Sequence, residues 1–412
     1  MASTSSAISP ITWRTALQQQ AEAMARTRRR CLLPLAAAGQ ASFSPSLAER
    51  NHTLLDLASN DYLGLSRHPA VVAAAQVAAA RDGVGAGGSR LVTGTRPVHG
   101  ELEAELAAWL GRDRALLFPS GFQANLAAVL ALADRHSLVI ADRLIHHSLL
   151  TGVAASGARL RRFAHNDLAQ LERRLSEARR NRPEQRLLVL SESLFSMEGT
   201  SPDVPALAAL CERFGAALLL DEAHALGVLG PGGRGLGHGI GSIALISGTF
   251  GKAFGSGGAF LAGGELVMEH LLQTSGPFRY TTALAPPLAA GALASLQLIQ
   301  RRDRGAAAGD NADSPGGQPA QAHLLARARR WRDGLEAAGW PRPPGAGPIL
   351  PLLVGSDARA LELQAQLEAA GLLAVAIRPP TVPEGTARLR LVLRADLPGG
   401  TLERLLHALG AP

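Results

Sequence analysis

Ser247-Gly248-Thr249-Phe250-Gly251-Lys252-Ala253-Phe254-Gly255 is a glycine-punctuated run with one basic residue, Lys252, at its centre. Upstream, the apolar run Ala216-Ala217-Leu218-Leu219-Leu220 ends in the acidic pair Asp221-Glu222, and His224 follows closely. A continuous apolar run of this length reads as a buried strand, which places Asp221 at its carboxyl end. A carboxylate delivered there and a lysine in a tight polar loop suit pyridoxal phosphate (PLP). The carboxylate can hold the pyridine nitrogen protonated, and the lysine amine can form a Schiff base with the aldehyde. The plainer alternatives are a charge that ends a strand and a solvated loop lysine. His224 adds weight to the cofactor reading, because it can share a cleft with Asp221 if the chain turns there.

The rest of the chain supplies a frame for such a site. Leu138-Val139-Ile140, Leu187-Leu188-Val189-Leu190 and Ile243-Ala244-Leu245-Ile246 are further apolar runs of strand length. They alternate with helical patterns at 101–110, 123–133, 148–155 and 168–178, and Leu54 to Ala58 is a short strand-like run. Strands of this kind belong in a mostly parallel sheet covered by helices, so the segment 57–298 reads as an α/β domain. Before it, 1–56 is an N-terminal arm with a basic helical pattern from Trp13 to Leu33. After it, 299–412 reads as a smaller α/β domain, with helices at 321–338, 358–370 and 400–409 and strands at 349–354, 372–377 and 387–393. The segment 305–320 is poor in bulky residues and reads as a mobile insertion.

Composition excludes several classes. With 47% hydrophobic and 18% charged residues, the 412-residue chain is globular rather than disordered and long enough for more than one domain. No apolar stretch is long enough to span a bilayer, and the N-terminus lacks a signal-peptide pattern, so the expected location is cytoplasmic. The net charge of +7 is scattered, with clusters only at 26–30, 159–162 and 301–304 and no reader motif, which argues against nucleic-acid binding. It can still draw in an anionic substrate. Cys31 and Cys211 are isolated, so neither a disulfide framework nor a zinc site is expected.

A cofactor phosphate needs backbone amides and hydroxyls converging at a helix N-terminus. Ser120-Gly121-Phe122-Gln123 sits between the apolar pair Leu116-Leu117 and a helix, and Thr249 can add a hydroxyl; a simple helix cap is the alternative. The glycine runs at 83–88 and 230–235 lack the context of a dinucleotide fingerprint, and Gly251-Lys252 is followed by alanine rather than the Ser or Thr of a P-loop. His146 and His147 follow a strand and precede a helix, where one of them could stack on a cofactor or act as an acid, or simply cap the helix. Glu198, Asp203 and His165 read as surface or turn residues.

Several longer stretches are more specific than these patterns. They are Ser59-Asn60-Asp61-Tyr62-Leu63-Gly64-Leu65, Ala115 to Phe122, Ala141-Asp142-Arg143-Leu144-Ile145-His146, Phe195-Ser196-Met197-Glu198-Gly199, Asp221-Glu222-Ala223-His224 and Gly248 to Gly255. On these stretches the chain resembles the α-oxoamine synthases, PLP-dependent enzymes of fold type I. The resemblance implies that Lys252 carries the cofactor, Asp221 faces the pyridine nitrogen, His224 donates to the phenolic oxygen and His146 stacks on the ring. Gly121, Phe122 and Thr249 would meet the phosphate and Ser196 would lie beside the ring. Thr282 would reach the cofactor phosphate of a second copy, implying a homodimer. Arg378 would hold the amino-acid carboxylate and Arg28 would contact the acyl substrate.

The stretch Ala376 to Arg390 resembles the branch of that family that joins L-alanine to a pimeloyl thioester, delivered by coenzyme A or an acyl-carrier protein, with loss of CO2 on the way to biotin. Related branches, such as glycine C-acetyltransferase, 5-aminolevulinate synthase and serine palmitoyltransferase, use other amino acids or acyl chains and stay open as alternatives. A non-enzymatic PLP-binding protein is a further alternative. Three places depart from the family pattern: Ala225-Leu226 after His224, Ser256 after Gly255, and Ala285 inserted before Pro286-Pro287.

Overall fold

The computed structural model describes residues 12–24, 40–41, 54–303 and 320–412. Arg28 and nearly all of the 305–320 insertion lie outside them. By internal contacts the chain forms two compact units, one of residues 57–351 with 391–412, the other of residues 1–56 with 352–390. This differs from the three-part division drawn from sequence, whose boundary at 298/299 falls inside the helix Pro286–Asp303. That helix packs on the helices Pro69–Asp82 and Pro97–Leu110, so its last turn continues the larger unit.

Strands are numbered in chain order: β1 (Gln40–Ala41), β2 (Leu54–Asp56), β3 (Arg114–Phe118), β4 (Leu138–Asp142), β5 (Arg159–Phe163), β6 (Leu187–Glu192), β7 (Ala217–Asp221), β8 (Leu245–Thr249), β9 (Ala259–Gly263), β10 (Ile349–Gly355), β11 (Leu372–Leu373), β12 (Val375–Ile377) and β13 (Ala387–Val392). Seven of them form the main sheet in the order β3-β9-β8-β7-β6-β4-β5. The run β8-β7-β6-β4-β5 is parallel throughout, and β9 runs antiparallel to both β3 and β8. The expected mostly parallel sheet of a fold-type I PLP transferase is therefore present.

Alternation explains why these strands are apolar throughout. Val139, Ala141, Leu188, Leu190 and Leu219 point into one core, shared with the helices Gly121–Leu132 and His147–Ser156. Leu138, Ile140, Leu187, Val189, Leu218 and Leu220 point into the opposite core, shared with Leu168–Asn181 and Val204–Arg213. Each fully buried leucine of this kind contributes roughly 1.5–3 kcal/mol. The polar residues are left to the strand ends, which is where the chemistry gathers.

Three strands of the main sheet, β3, β5 and β9, carry no strand signal in the sequence reading, β3 contributing only the apolar pair Leu116-Leu117. β5 contains Arg159, Arg161 and Arg162, charged because it is an edge strand. β9 is built of small residues around Phe260 and Leu261. The second unit holds a sheet β1-β2-β11, and β10-β13-β12 forms the third sheet. The expected strand 372–377 is split at Ala374, so that β11 pairs with β2 and β12 with β13. Asp203 caps the helix Val204–Arg213, its carboxylate accepting from Ala206 N at 3.0 Å. His165 is not a free surface residue. Its Nδ1 lies 3.1 Å from buried Asp142 and its Nε2 2.7 Å from Thr200 Oγ1.

Candidate active site

Parallel strands place their carboxyl ends along one edge, and an α/β sheet binds its ligands there. Here that edge carries Asp142, Glu192, Asp221 and Thr249, the last residues of β4, β6, β7 and β8. Register sets Glu192 directly beside Asp221. A cavity of about 200 Å³ opens at this edge, lined by Gly121, Phe122, His146, Asp221, His224, Thr249 and Lys252, together with Asn125, Glu192 and Ala223. Seven residues singled out from sequence thus meet in one place.

Asp221 is buried, and both of its oxygens accept. Asn125 Nδ2 donates to Oδ2 at 2.7 Å and Ala223 N to Oδ1 at 2.9 Å. Glu192 is 3% exposed, and burial first, then the neighbouring Asp221 charge, pushes its carboxyl well above the ordinary value. Its Oε1 and the Oδ1 of Asn125 are buried without a partner among the described residues, as polar atoms awaiting a ligand would be. His224 Nδ1 lies 2.6 Å from Tyr62 Oη. Burial lowers the pKa of His146, Lys252 and His147 add to that shift, and Asp221 opposes it.

Lys252 stands in the loop after β8, which is held closed by Phe250 N to Gly258 O, Ser256 N to Phe250 O and Gly255 N to Lys252 O. Gly255 adopts φ +59° and sits so close to the Leu65–Ser66 backbone that any Cβ would collide with it. Lys252 is also the only lysine among the 41 lysines and arginines of the chain. Ser256, one of the departures from the family pattern, donates to Leu288 O at 2.7 Å. Ala225 and Leu226, another departure, are packed fully into the core.

The phosphate end can be tested against the donors present. Ser120 Oγ caps the helix Gly121–Leu132 by accepting from Gln123 N at 3.3 Å. The amides of Gly121 and Phe122 make no hydrogen bond among the described residues and are the unpaired donors of that helix end. Gly121 faces Thr249, since a Cβ built on it would lie 3.8 Å from Thr249 Cβ. Thr249 already donates to Gly258 O at 3.0 Å, so a phosphate taking its proton must break that bond. A lysine, a carboxylate, a cavity of about 200 Å³ and the unpaired amides of a helix terminus together fit PLP.

Other expected site residues lie elsewhere. Ser196 is half-buried in the turn after β6, and Thr282 is exposed in the segment before the helix Pro286–Asp303. Arg378 belongs to the second unit, follows β12 and is buried, with Nε directed to Ala376 O at 3.4 Å. Sequence reasoning passed over Asn125, Glu192 and the role of Tyr62. The signals were there: an asparagine inside the apolar helix Ala124 to Leu132, and a second apolar strand ending, like β7, in a carboxylate.

Among the described residues no helix is long and apolar enough to cross a membrane, and no group of three or more His, Cys, Asp or Glu could hold a metal. The chain matches the aminotransferase class I and II family over residues 52–409. The 8-amino-7-oxononanoate synthase of Stutzerimonas stutzeri is 44% identical over 386 residues, covering 93% of this chain and 92% of that protein. Among solved structures, a serine palmitoyltransferase holding PLP superposes with a TM-score of 0.83 at 26% identity, covering 95% of this chain and 94% of that one. The 8-amino-7-oxononanoate synthase of Francisella tularensis gives a TM-score of 0.71 at 26% identity over 86% of this chain and 96% of its own. Sharing its sequence with one such synthase over nearly its whole length and its fold with another, the chain belongs to the 8-amino-7-oxononanoate synthases, α-oxoamine synthases of the fold-type I PLP enzymes.

Proposed function

We propose that this chain condenses L-alanine with a pimeloyl thioester, releasing CO2 and the carrier thiol and yielding 8-amino-7-oxononanoate for biotin synthesis. The carrier is coenzyme A or an acyl-carrier protein, and the enzyme acts as a cytoplasmic homodimer. The observation that carries the reading is the chain's one lysine lining the same cavity as Asp221, His146, His224 and the helix N-terminus at Gly121. The unit of residues 57–351 with 391–412 supplies the cofactor site.

When bound, PLP supplies an electron sink for negative charge at the amino acid's α-carbon. Lys252 would hold it through its amine, and the same amine is the base placed to take the α-proton. Asp221 would face the ring nitrogen and keep its proton in place. His224, whose Nδ1 lies 2.6 Å from Tyr62 Oη, would donate to the phenolic oxygen. His146 covers the ring and donates to the acyl oxygen as charge grows there. Gly121 and Phe122 hold the phosphate by their amides, with Thr249 exchanging partners to join them, and Ser196 lies beside the ring. Arg378 grips the carboxylate of alanine, Arg28 contacts the acyl chain, and Thr282 reaches the phosphate in the partner subunit's site.

The test is a matrix of L-alanine, glycine and L-serine against pimeloyl, acetyl, succinyl and palmitoyl thioesters, read by product mass and CO2 release. L-Alanine with the pimeloyl thioester should give by far the highest kcat/KM. A clear preference for glycine with the acetyl thioester would make the chain a glycine C-acetyltransferase, and silence in every cell would leave a PLP-binding protein without this chemistry.

A further inference from the structure

Asp221 and His146 are joined by a hydrogen-bonded path through two fully enclosed side chains. Asn125 and Ser148 are 3% and 0% exposed, at the packing contact of helices Gly121–Leu132 and His147–Ser156. Asn125 Nδ2 lies 2.7 Å from Asp221 Oδ2 and 2.9 Å from Ser148 Oγ. Ser148 Oγ lies 2.7 Å from His146 Nδ1, and the Ser148 backbone amide donates to the same nitrogen at 3.3 Å.

Donor counting assigns the protons. An ionised carboxylate only accepts, so the Asn125 atom facing Asp221 must be its nitrogen. Both protons of that nitrogen are then spent, one on Asp221 and one on Ser148 Oγ. Ser148 Oγ, already accepting, is left to donate its own proton to His146 Nδ1. The Ser148 amide can only donate. Nδ1 therefore receives two donors and carries no proton, and the single proton of the ring sits on Nε2. That nitrogen makes no hydrogen bond among the described residues, and the ring lines the cavity.

Resting on the reading of His146 as the residue over the cofactor, we propose that Asn125 and Ser148 are positioning residues that hold His146 as the neutral Nε2–H imidazole. A substrate oxygen in the cavity then meets a neutral hydrogen-bond donor rather than an imidazolium. A proton added at Nδ1 would set two donors against it. The location agrees, because His146 is the N-cap of the helix His147–Ser156, whose positive end disfavours a cation. Of the charged groups around it, Lys252 and His147 oppose protonation and Asp221 favours it, while Glu192 accepts from the His146 backbone amide. A neutral imidazole is a poor proton source but a good partner for charge that develops and then fades.

Nitrogen NMR of the full chain labelled in histidine tests this without cofactor or substrate, so its outcome is separate from that of the substrate matrix. The His146 signals are assigned from their loss in His146→Gln. Between about pH 6 and pH 8, around the ordinary imidazole value, wild type should show an unprotonated Nδ1 and a protonated Nε2. Ser148→Ala removes one of the two donors and should populate the Nδ1–H form and raise the His146 pKa by about one unit, tenfold in proton affinity. Ser148→Thr, which keeps hydroxyl and amide, should restore the wild-type pattern. A wild-type ring protonated on Nδ1 overturns the proposal whatever the variants do, and so does a Ser148→Ala spectrum that titrates like wild type.

Discussion

Glu222, the second member of the acidic pair after β7, offers the sharpest test of the buried electrostatics. It is 0% exposed; its Oε1 accepts from Gly237 N at 2.6 Å, and its Oε2 accepts from Ser193 Oγ at 2.6 Å and Leu236 N at 3.1 Å. Burial outweighs these three donors and, with Asp221 alongside, lifts its carboxyl from 4.5 to about 7. A raised folded-state pKa means that the unfolded chain ionises first as pH rises. Stability is therefore intact below pH 4.5, is lost between 4.5 and about 7, and is level above. At about 1.4 kcal/mol per unit the whole loss is about 3.4 kcal/mol, of which about 2.5 falls between about pH 5 and pH 8. Glu222→Gln cannot titrate, but its NH2 must face a backbone amide, at a cost of about 1–3 kcal/mol at every pH. Urea unfolding of wild type and Glu222→Gln across that range should show the stability gap between them shifting in favour of the variant by about 2.5 kcal/mol toward high pH. Parallel profiles would show that the three donors, not burial, govern Glu222, and a gap moving the other way would refute the sign.

Three further outcomes bear on the site. Borohydride reduction of the PLP-loaded enzyme should fix the cofactor on Lys252, whose only rival amine is the N-terminus; a label at the N-terminus would remove Lys252 from its role. His146→Ala should keep the cofactor, seen by its absorbance, and lose turnover by about 10²-fold or more; unchanged turnover would end its assignment as donor. Mixed Lys252→Ala and Thr282→Ala chains, each inactive alone, should regain activity after subunit exchange, because one site of the mixed dimer is then intact. Full activity in a strictly monomeric species would dispose of the shared site.

Legibility followed burial. The strands β4, β6, β7 and β8 could be read because both faces are covered, which demands unbroken apolar runs. β3, β5 and β9 could not: β3 and β5 are the two edges of the sheet, where arginines such as Arg114, Arg159, Arg161 and Arg162 are free to sit, and β9 packs through small residues. Gly121, Phe122, His146, Asp221, His224 and Lys252, singled out from the sequence near strand ends, do line one cavity. The strongest signal for Lys252, its being the chain's sole lysine, lay in the composition and was passed over. Asn125 and Ser148 were not legible, since each looks like an ordinary polar residue until the packing of two helices turns them toward Asp221 and His146. The placement of Arg378 in a unit built partly from residues 1–56 likewise depends on the pairing of β2 with β11, which no local pattern announces.

Three parallel strands end in a carboxylate, and their neighbours give the three different tasks. Asp142 is consumed by structure, accepting from Leu144 N and Asn166 N at 2.8 Å each and lying beside His165. Glu192 and Asp221 both face the cavity and stand side by side, so low dielectric makes it costly for both to be ionised. The donors decide between them. Asp221 receives one on each oxygen, whereas Glu192 keeps an oxygen without any and has its carboxyl pushed up by burial and by Asp221. Asp221 is thus the carboxylate that the surrounding donors serve, and its donor Asn125 also reaches Ser148 and, through it, His146. The donors of Asp221 and the tautomer of His146 are therefore tied to the same buried amide, which spends one proton on the carboxylate and the other on the hydroxyl beside the histidine.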